Sequence, residues 1–198
     1  MSTPSHKRRV AFQGERGAFS EEVALKLLGH DIELVPRRTF AELYDSLDNG
    51  LADYLLAPID NTIAGIVNPS VTLLREKSLN ILDEIQFKIE QHLIGCPGAT
   101  FEQIETVQSH PVALAQCRRF FQANPNLKPV VADDTAGSVA EIIRLGDPAR
   151  AAIAGQHAAD LYGASIIRKS IQDHSDNYTR FVLLSARPEQ AQTTLPRL

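Results

Sequence analysis

Short continuous apolar runs alternate along the chain with segments whose apolar positions recur at helical spacing, and this alternation predicts the elements. Arg9-Val10-Ala11-Phe12 reads as a strand, and Ser20 to Leu28 as a helix stopped by Gly29. Ile32 to Val35 is a second strand. Thr39 to Leu47 is a second helix, with Thr39 as its N-cap and Glu42 completing a capping box. Tyr54 to Ile59 is a buried strand ending at Asp60-Asn61. Asn80 to Ile89 alternates as one or two strands do, and Gln91 to Cys96 continues the extended pattern until Pro97-Gly98 breaks it. Three strand-helix pairs follow: Thr106 to Gln108 with Val112 to Phe121, Val130 to Ala132 with Gly137 to Leu145, and Ala151 to Ala154 with Ala158 to Tyr162, the last closed by Gly163. Val182-Leu183-Leu184 is the final buried strand. Such alternation predicts an α/β architecture with a mainly parallel sheet, and no internal repeat is visible.

Composition narrows the class. At 198 residues the chain accommodates one large domain or two small lobes, and 43% hydrophobic with 22% charged residues is ordinary for a globular protein. A net charge of -4, with the basic pairs Arg37-Arg38, Arg118-Arg119 and Arg168-Lys169 scattered, argues against a nucleic-acid partner. No segment approaches the ~20 apolar residues of a membrane helix, and Met1 to Arg9 lacks the features of a secretion signal. A cytoplasmic protein without a membrane partner is expected. Cys96 and Cys117 are far apart, with no His or Cys at ligand spacing, so neither a disulfide nor a metal site is indicated. The Pro-, Gln- and Thr-bearing tail, Ala186 to Leu198, is expected to be loose.

Chemistry enters at the strand ends. The glycine-containing loop Gln13 to Gly17 feeds a helix start, where free amides near Ala18, Phe19 and Ser20 could dock a carboxylate; Ser20 could equally serve only as a helix cap. Neither a dinucleotide fingerprint nor a phosphate loop is present. Asn61, at the carboxyl end of a strand, could contact a ligand or close a turn. Asn177-Tyr178-Thr179-Arg180-Phe181 sets a hydroxyl beside a guanidinium that could hold a carboxylate in a fork or lie on the surface. His110, between Ser109 and Pro111 at a strand-to-helix turn, is expected to orient the loop rather than act as a base.

Five stretches in this order resemble the prephenate dehydratase family over about residues 9 to 185: Phe12 to Glu21, Pro58-Ile59-Asp60-Asn61-Thr62, Ser109-His110-Pro111 with Ala113 to Cys117, Asp134 to Ser138, and Asn177 to Phe181. The segments Ala151 to Ala154, Ala158-Ala159, Leu161-Tyr162-Gly163 and Ile171-Gln172-Asp173 fit as well. The resemblance implies a catalytic domain over 8–185 built from two α/β lobes with a cleft between them, as in type II periplasmic binding proteins. One lobe would span about 8–75 plus 166–185 and the other about 80–165. The implied reaction converts prephenate to phenylpyruvate with loss of carbon dioxide and hydroxide, without cofactor or metal, in a homodimer. By resemblance Thr179 donates to the departing hydroxyl, while Asn61, Thr62, Ser109 and Gln116 line the cleft, with Arg180, Thr135, Ala18 and Phe19 behind them.

The family reads Pro-Ile-Glu-Asn-Ser where this chain has Pro58-Ile59-Asp60-Asn61-Thr62. The shift leaves arogenate as an alternative substrate, with Asp60 as the carboxylate to meet its amino group. No room is expected for the phenylalanine-binding ACT domain or the chorismate mutase domain of other members, so phenylalanine inhibition through such a domain is not expected. The short form also resembles prephenate decarboxylases of secondary metabolism, although those gain nothing from a donor at the hydroxyl. A non-catalytic small-molecule binding module is the remaining alternative.

Overall fold

A computed structural model describes residues 7–186. From the amino terminus run β1 (Arg8–Gln13), α1 (Phe19–Leu28), β2 (Ile32–Arg37), α2 (Phe40–Asp48), β3 (Tyr54–Asn61), the two-residue β4 (Gly65–Ile66), α3 (Asn68–Lys77) and β5 (Asn80–Lys88). The chain then crosses into a second unit of β6 (His92–Gly95), β7 (Thr106–Ser109), α4 (Pro111–Ala115), α5 (Arg118–Ala123), β8 (Lys128–Val131), α6 (Thr135–Leu145), β9 (Arg150–Ala154), α7 (Gln156–Tyr162) and β10 (Ser165–Arg168). It returns as β11 (Tyr178–Ser185).

Two mixed sheets result, one ordered β2-β1-β3-β11-β5 with β4 on β3, the other, read from its far edge, β8-β7-β9-β6-β10. In each, three parallel strands are followed by one that runs against them and a fifth antiparallel to that one. The two orders match position for position, so a structural repeat exists that the sequence does not display. The architecture is mixed α/β in two lobes, one per sheet. Two of the expected lobe boundaries are corrected: Asn80–Lys88 belongs to the first sheet, beside β11, and Ser165–Arg168 belongs to the second, beside β6. The sheets are also less parallel than expected, because β6 and β11 enter from the opposite lobe and run against their neighbours.

The apolar runs are continuous because both faces of each sheet are covered. Val10, Phe12, Phe181 and Leu183 point inward, joining Val23 and Ala24 of α1, Val139 and Ile142 of α6, Ala158 of α7 and Ala152 and Ala154 of β9 in one core shared by the lobes. The intervening residues Ala11, Val182 and Leu184 face outward toward α2 and α3. Ala151 and Ile153 likewise face the α4–α5 side.

Local rules explain most element ends. Thr39 and Glu42 form the expected capping box, and Gly163 closes α7 in the left-handed conformation. Two expectations fail locally. Ala18, not Ser20, is the N-cap of α1, placing Ser20 in the first turn. The helix expected over Val112 to Phe121 is broken at Gln116-Cys117, where Asp173 accepts from the amides of Arg118 and Arg119 and donates its own amide to the Gln116 carbonyl. The tail beyond Ala186 lies outside the described residues.

Candidate active site

The carboxyl end of β3 and the start of β11 are neighbours, with Asn61 opposite Thr179 and Asp60 opposite Arg180. A register shift lies just beyond, where Arg180 pairs with Asp60 but Phe181 with Pro58. Leu55, Ala57 and Ile59 all face the outer core, and strict alternation would send Asn61 the same way. The extra residue in β3 turns it instead to the face of Thr179, the kind of re-aiming that bulges perform.

From that position Asn61 orders a chain of hydrogen bonds. Its Oδ1 accepts from the amides of Ile63 and Ala64 at 3.0 and 2.8 Å, which orients the amide and leaves Nδ2 as the donor. Nδ2 donates to Thr179 Oγ1 at 2.9 Å and to Asn177 Oδ1 at 2.8 Å. Asn177, 1% exposed, donates in turn from Nδ2 to Gln116 Oε1 at 3.0 Å. Both ends of the chain therefore have hydrogen left to give. Thr179 accepts from Asn61, so its own hydroxyl hydrogen is free among the described residues, and Gln116 uses its oxygen and keeps its Nε2 hydrogens. The network spans the lobes, from the α4–α5 break to β3 and β11.

The other expected site residues divide. Thr62 ties strand to loop: its hydroxyl donates to the Asp176 carbonyl and accepts from the Tyr178 amide, a role that serine could fill equally. Ser109 is fully buried and donates to the Ile153 carbonyl at 2.6 Å, joining β7 to β9. His110 Nδ1 accepts from the Val112 amide, orienting its loop. Thr135 is the first residue of α6, half-buried, with its hydroxyl making no hydrogen bond among the described residues. Ala18 and Phe19 open α1, and the Phe19 ring lies where a Cβ on Gly155 would be 2.6 Å away, so the loop of one lobe presses on the start of α7 in the other.

Arg180 and Asp60 are not brought to Thr179. Side chains of adjacent strand residues point to opposite faces. Arg180 there donates from Nε to Asp60 Oδ2 at 2.8 Å and approaches Glu84 at 3.6 Å. The guanidinium is committed to carboxylates of its own chain, and Asp60 is neutralised by it. Both side chains thus lie on the face of the sheet opposite Thr179.

Sequence reasoning also passed over residues that matter. Asn177 stood inside the recognised motif, yet its place between Gln116 and Asn61 depends on a contact across 61 residues of sequence. Glu21 and His157 form a second bridge between the lobes. Glu21, 1% exposed, accepts from Arg16 Nε at 2.7 Å and the Gly17 amide at 3.0 Å, and meets His157 Nε2 at 3.2 Å. Burial alone would raise its carboxyl, but the bonds from His157, Arg16 and Gly17 hold it at about 2. The same bond to Glu21 raises His157. Burial, with Asp173 nearby, pushes the Cys117 thiol up to about 12, which removes it as a nucleophile.

A cavity of about 470 Å³ opens elsewhere between the lobes, lined by Glu15, Arg38, Asp133, Asp134 and Glu141 among others, but by none of Asn61, Gln116 or Thr179. Among the described residues no group of three or more His, Cys, Asp or Glu could hold a metal ion, and no helix is long and apolar enough to cross a membrane.

Two α/β lobes are joined by crossing strands, with an ordered polar network between them. The chain matches the prephenate dehydratase family over residues 10–189. It is 36% identical over 180 residues to arogenate dehydratase/prephenate dehydratase 2, chloroplastic, of Arabidopsis thaliana, covering 91% of this chain and 47% of that protein. A solved structure described as GqqA, a novel type of quorum quenching acylase, is 34% identical with a TM-score of 0.81, covering 96% of this chain and 67% of that one. The prephenate dehydratase of Arthrobacter aurescens in complex with L-Phe is 28% identical with a TM-score of 0.82, covering 91% and 61%. This chain belongs to the prephenate dehydratase family. It spans about half the length of the curated relatives it matches.

Proposed function

We propose that the domain is a carbon-oxygen lyase that converts prephenate to phenylpyruvate. The carrying observation is the direction of the hydrogen-bond chain, which leaves Thr179 as a donor. In this reaction the bond from a ring carbon to its carboxylate breaks, carbon dioxide departs, and the electron pair moves through the ring to expel the hydroxyl opposite. Aromatisation supplies the driving force. The barrier falls if a positioned donor meets the oxygen as it gains charge. A threonine hydroxyl is too weak an acid to act by a matched pKa, so Thr179 contributes a positioned hydrogen bond or a relay. Gln116 Nε2 and the free amides at the start of α1 supply further neutral donors for the pyruvyl side chain. The acidic cavity lined by Glu15, Asp133, Asp134 and Glu141 would repel a dicarboxylate and is not the site we assign.

The acylase activity of one structural relative calls for a nucleophile beside a base. Among the described residues none of the site's hydroxyls bonds to a side-chain base: Thr179 accepts from an amide nitrogen, Ser109 donates to a backbone carbonyl, and Thr62 bonds backbone on both sides. Arogenate remains the substrate to compare, because relatives named as arogenate dehydratases match this chain. A homodimer is part of the same reading and is checked by sedimentation of the purified chain.

The deciding experiment mixes protein with prephenate at neutral pH and follows phenylpyruvate and carbon dioxide together, with arogenate in parallel and Thr179→Val as the control for spontaneous aromatisation. Equal yields of both products, lost in the variant, are expected. Carbon dioxide without phenylpyruvate would make the protein a decarboxylase. Ligand-induced stabilisation without either product would make it a binding module.

A further inference from the structure

The buried charge at Glu21 takes no part in the Asn61-Thr179-Gln116 network. Its two carboxylate oxygens collect four donors: Oε2 takes Arg16 Nε at 2.7 Å and the Gly17 amide at 3.0 Å, and Oε1 takes Arg16 Nη2 at 3.2 Å and His157 Nε2 at 3.2 Å. Three of these come from the loop preceding α1 and the fourth from α7 in the other lobe. Further contacts fasten the same loop to the same helix. Tyr162 donates from its hydroxyl to the Arg16 carbonyl at 2.8 Å. Gly17, at φ +87°, sits so close that a Cβ there would be 3.1 Å from the Ala158 Cα. Phe19 fills the space beside Gly155. The loop that leads into the free amides at the start of α1, where the substrate carboxylate would dock, is thus shaped by Glu21 and held against the opposite lobe by α7.

An apolar pair would fill this position with less desolvation cost, and buried ion pairs are poor stabilisers for that reason. What the carboxylate supplies instead is a fixed conformation at Gly17 and a bond across the cleft whose strength depends on charge. We propose that Glu21 is a positioning residue for the docking loop, and that its bond to His157 couples substrate affinity to the charge of that histidine. This rests on the dehydratase reading for its substrate, but the latch itself is independent of turnover.

The groups facing His157 agree in sign. Glu21 bonds to it, Glu22 lies on the same turn of α1, and Asp160 stands one turn along α7, held by Gln156 at 2.7 Å. Three carboxylates favour the imidazolium, and Arg16 is the opposing cation, itself paired with Glu21. His157 therefore stays charged above its ordinary 6.5, and the charge-assisted bond is present below that raised value and weakens as pH rises through it. Glu21, held at about 2, remains ionised throughout.

The test has two arms on the full chain. In the first, the His157 imidazole and the Gly17 amide are followed by NMR across the neutral range. The expected result is a His157 midpoint above its ordinary value, with the Gly17 amide shifting at the same midpoint. In Glu21→Gln the His157 midpoint falls back and the Gly17 response disappears. In the second arm, KM and kcat for prephenate are measured over the same range in the wild type and in His157→Gln. KM is expected to rise roughly five- to tenfold with pH in the wild type while kcat stays flat, the scale of exchanging a charge-assisted for a neutral hydrogen bond. His157→Gln should hold the high KM at every pH. A His157 midpoint at or below the ordinary value, or a Gly17 amide indifferent to it, would overturn the latch, as would a pH dependence confined to kcat. Should prephenate not turn over at all while Gly17 follows His157, the dehydratase reading fails and the latch stands. His157 is partly exposed, so its variant keeps the test open if Glu21→Gln does not fold.

Discussion

Thr179 is available as a donor because of what Asn61 gives it. A hydroxyl that already accepts one hydrogen bond can direct its hydrogen elsewhere, and the amides of Ile63 and Ala64 fix Asn61 in the orientation that makes this so. Thr179→Val keeps the shape and removes the hydrogen; turnover is expected to fall by about 100-fold or more, the scale of one lost transition-state donor. Circular dichroism on the same preparation should be unchanged. Near-normal turnover would remove Thr179 from the mechanism. Arg180 offers the opposite case. Its side chain is 38% exposed and bound to Asp60, so Arg180→Gln should cost about 1 kcal/mol or less in a denaturant titration. Because the guanidinium lies on the other face of β11, kcat/KM for prephenate should change little. A large loss of kcat/KM with stability intact would restore Arg180 as a substrate anchor. At this scale the motif Asn177 to Phe181 was legible in the chain, but the opposite facing of Thr179 and Arg180 follows only from their place in a paired strand.

Two irregular elements position the site, and both are invisible to periodicity. The bulge in β3 turns Asn61 inward, and the break between α4 and α5 brings Gln116 to Asn177. The break is held from a distance by Asp173, which accepts from two α5 amides at 3.1 and 2.9 Å. Asp173→Ala should lower stability by about 1 kcal/mol, as loss of a helix cap does. It should also reduce kcat/KM, because the Asp173 amide bonds the Gln116 carbonyl and the freed segment no longer aims that side chain. Unchanged kinetics in a destabilised variant would confine Asp173 to a structural role. The apolar spacing over Val112 to Phe121 suits one helix, and only a residue far along the chain interrupts it.

For the whole molecule, the shared core and the polar bridges make lobe arrangement and protonation interdependent. Glu21 has its folded carboxyl pKa depressed from 4.5 to about 2, so it contributes stability above the unfolded value and loses it as pH falls from 4.5 toward 2. Glu21→Gln should flatten the acid limb of a plot of unfolding midpoint against pH. An unaltered acid limb would show that Glu21 is not the group responsible. Two histidines act with opposite signs nearer neutrality. His157 is raised by its bond to Glu21, so its contribution is full below 6.5 and is lost as pH rises through the folded value. His92 is lowered by burial and accepts at Nδ1 from the Ser170 amide, so its contribution is lost as pH falls below 6.5. The unfolding midpoint should therefore pass through a maximum near 6.5, falling on the alkaline side with His157 and on the acid side with His92, while His157→Gln should remove the alkaline decline and leave the acid one.

The sequence by itself determined the element types, because apolar spacing selects strand or helix locally and because caps such as Thr39 with Glu42 act within one turn. It also determined the family, since ordered motifs survive in linear form, and with them the candidates Asn61, Gln116 and Thr179. Tertiary structure alone decided which of those candidates meet. Strand order sent Asn80–Lys88 and Ser165–Arg168 to sheets other than those expected. A bulge chose the face of Asn61, and pairing across the lobes joined Glu21 to His157 over a sequence separation of 136. The physical reason is range: periodicity and capping are set by neighbours along the chain, whereas register, facing and hydrogen-bond direction are set by residues that only folding brings together.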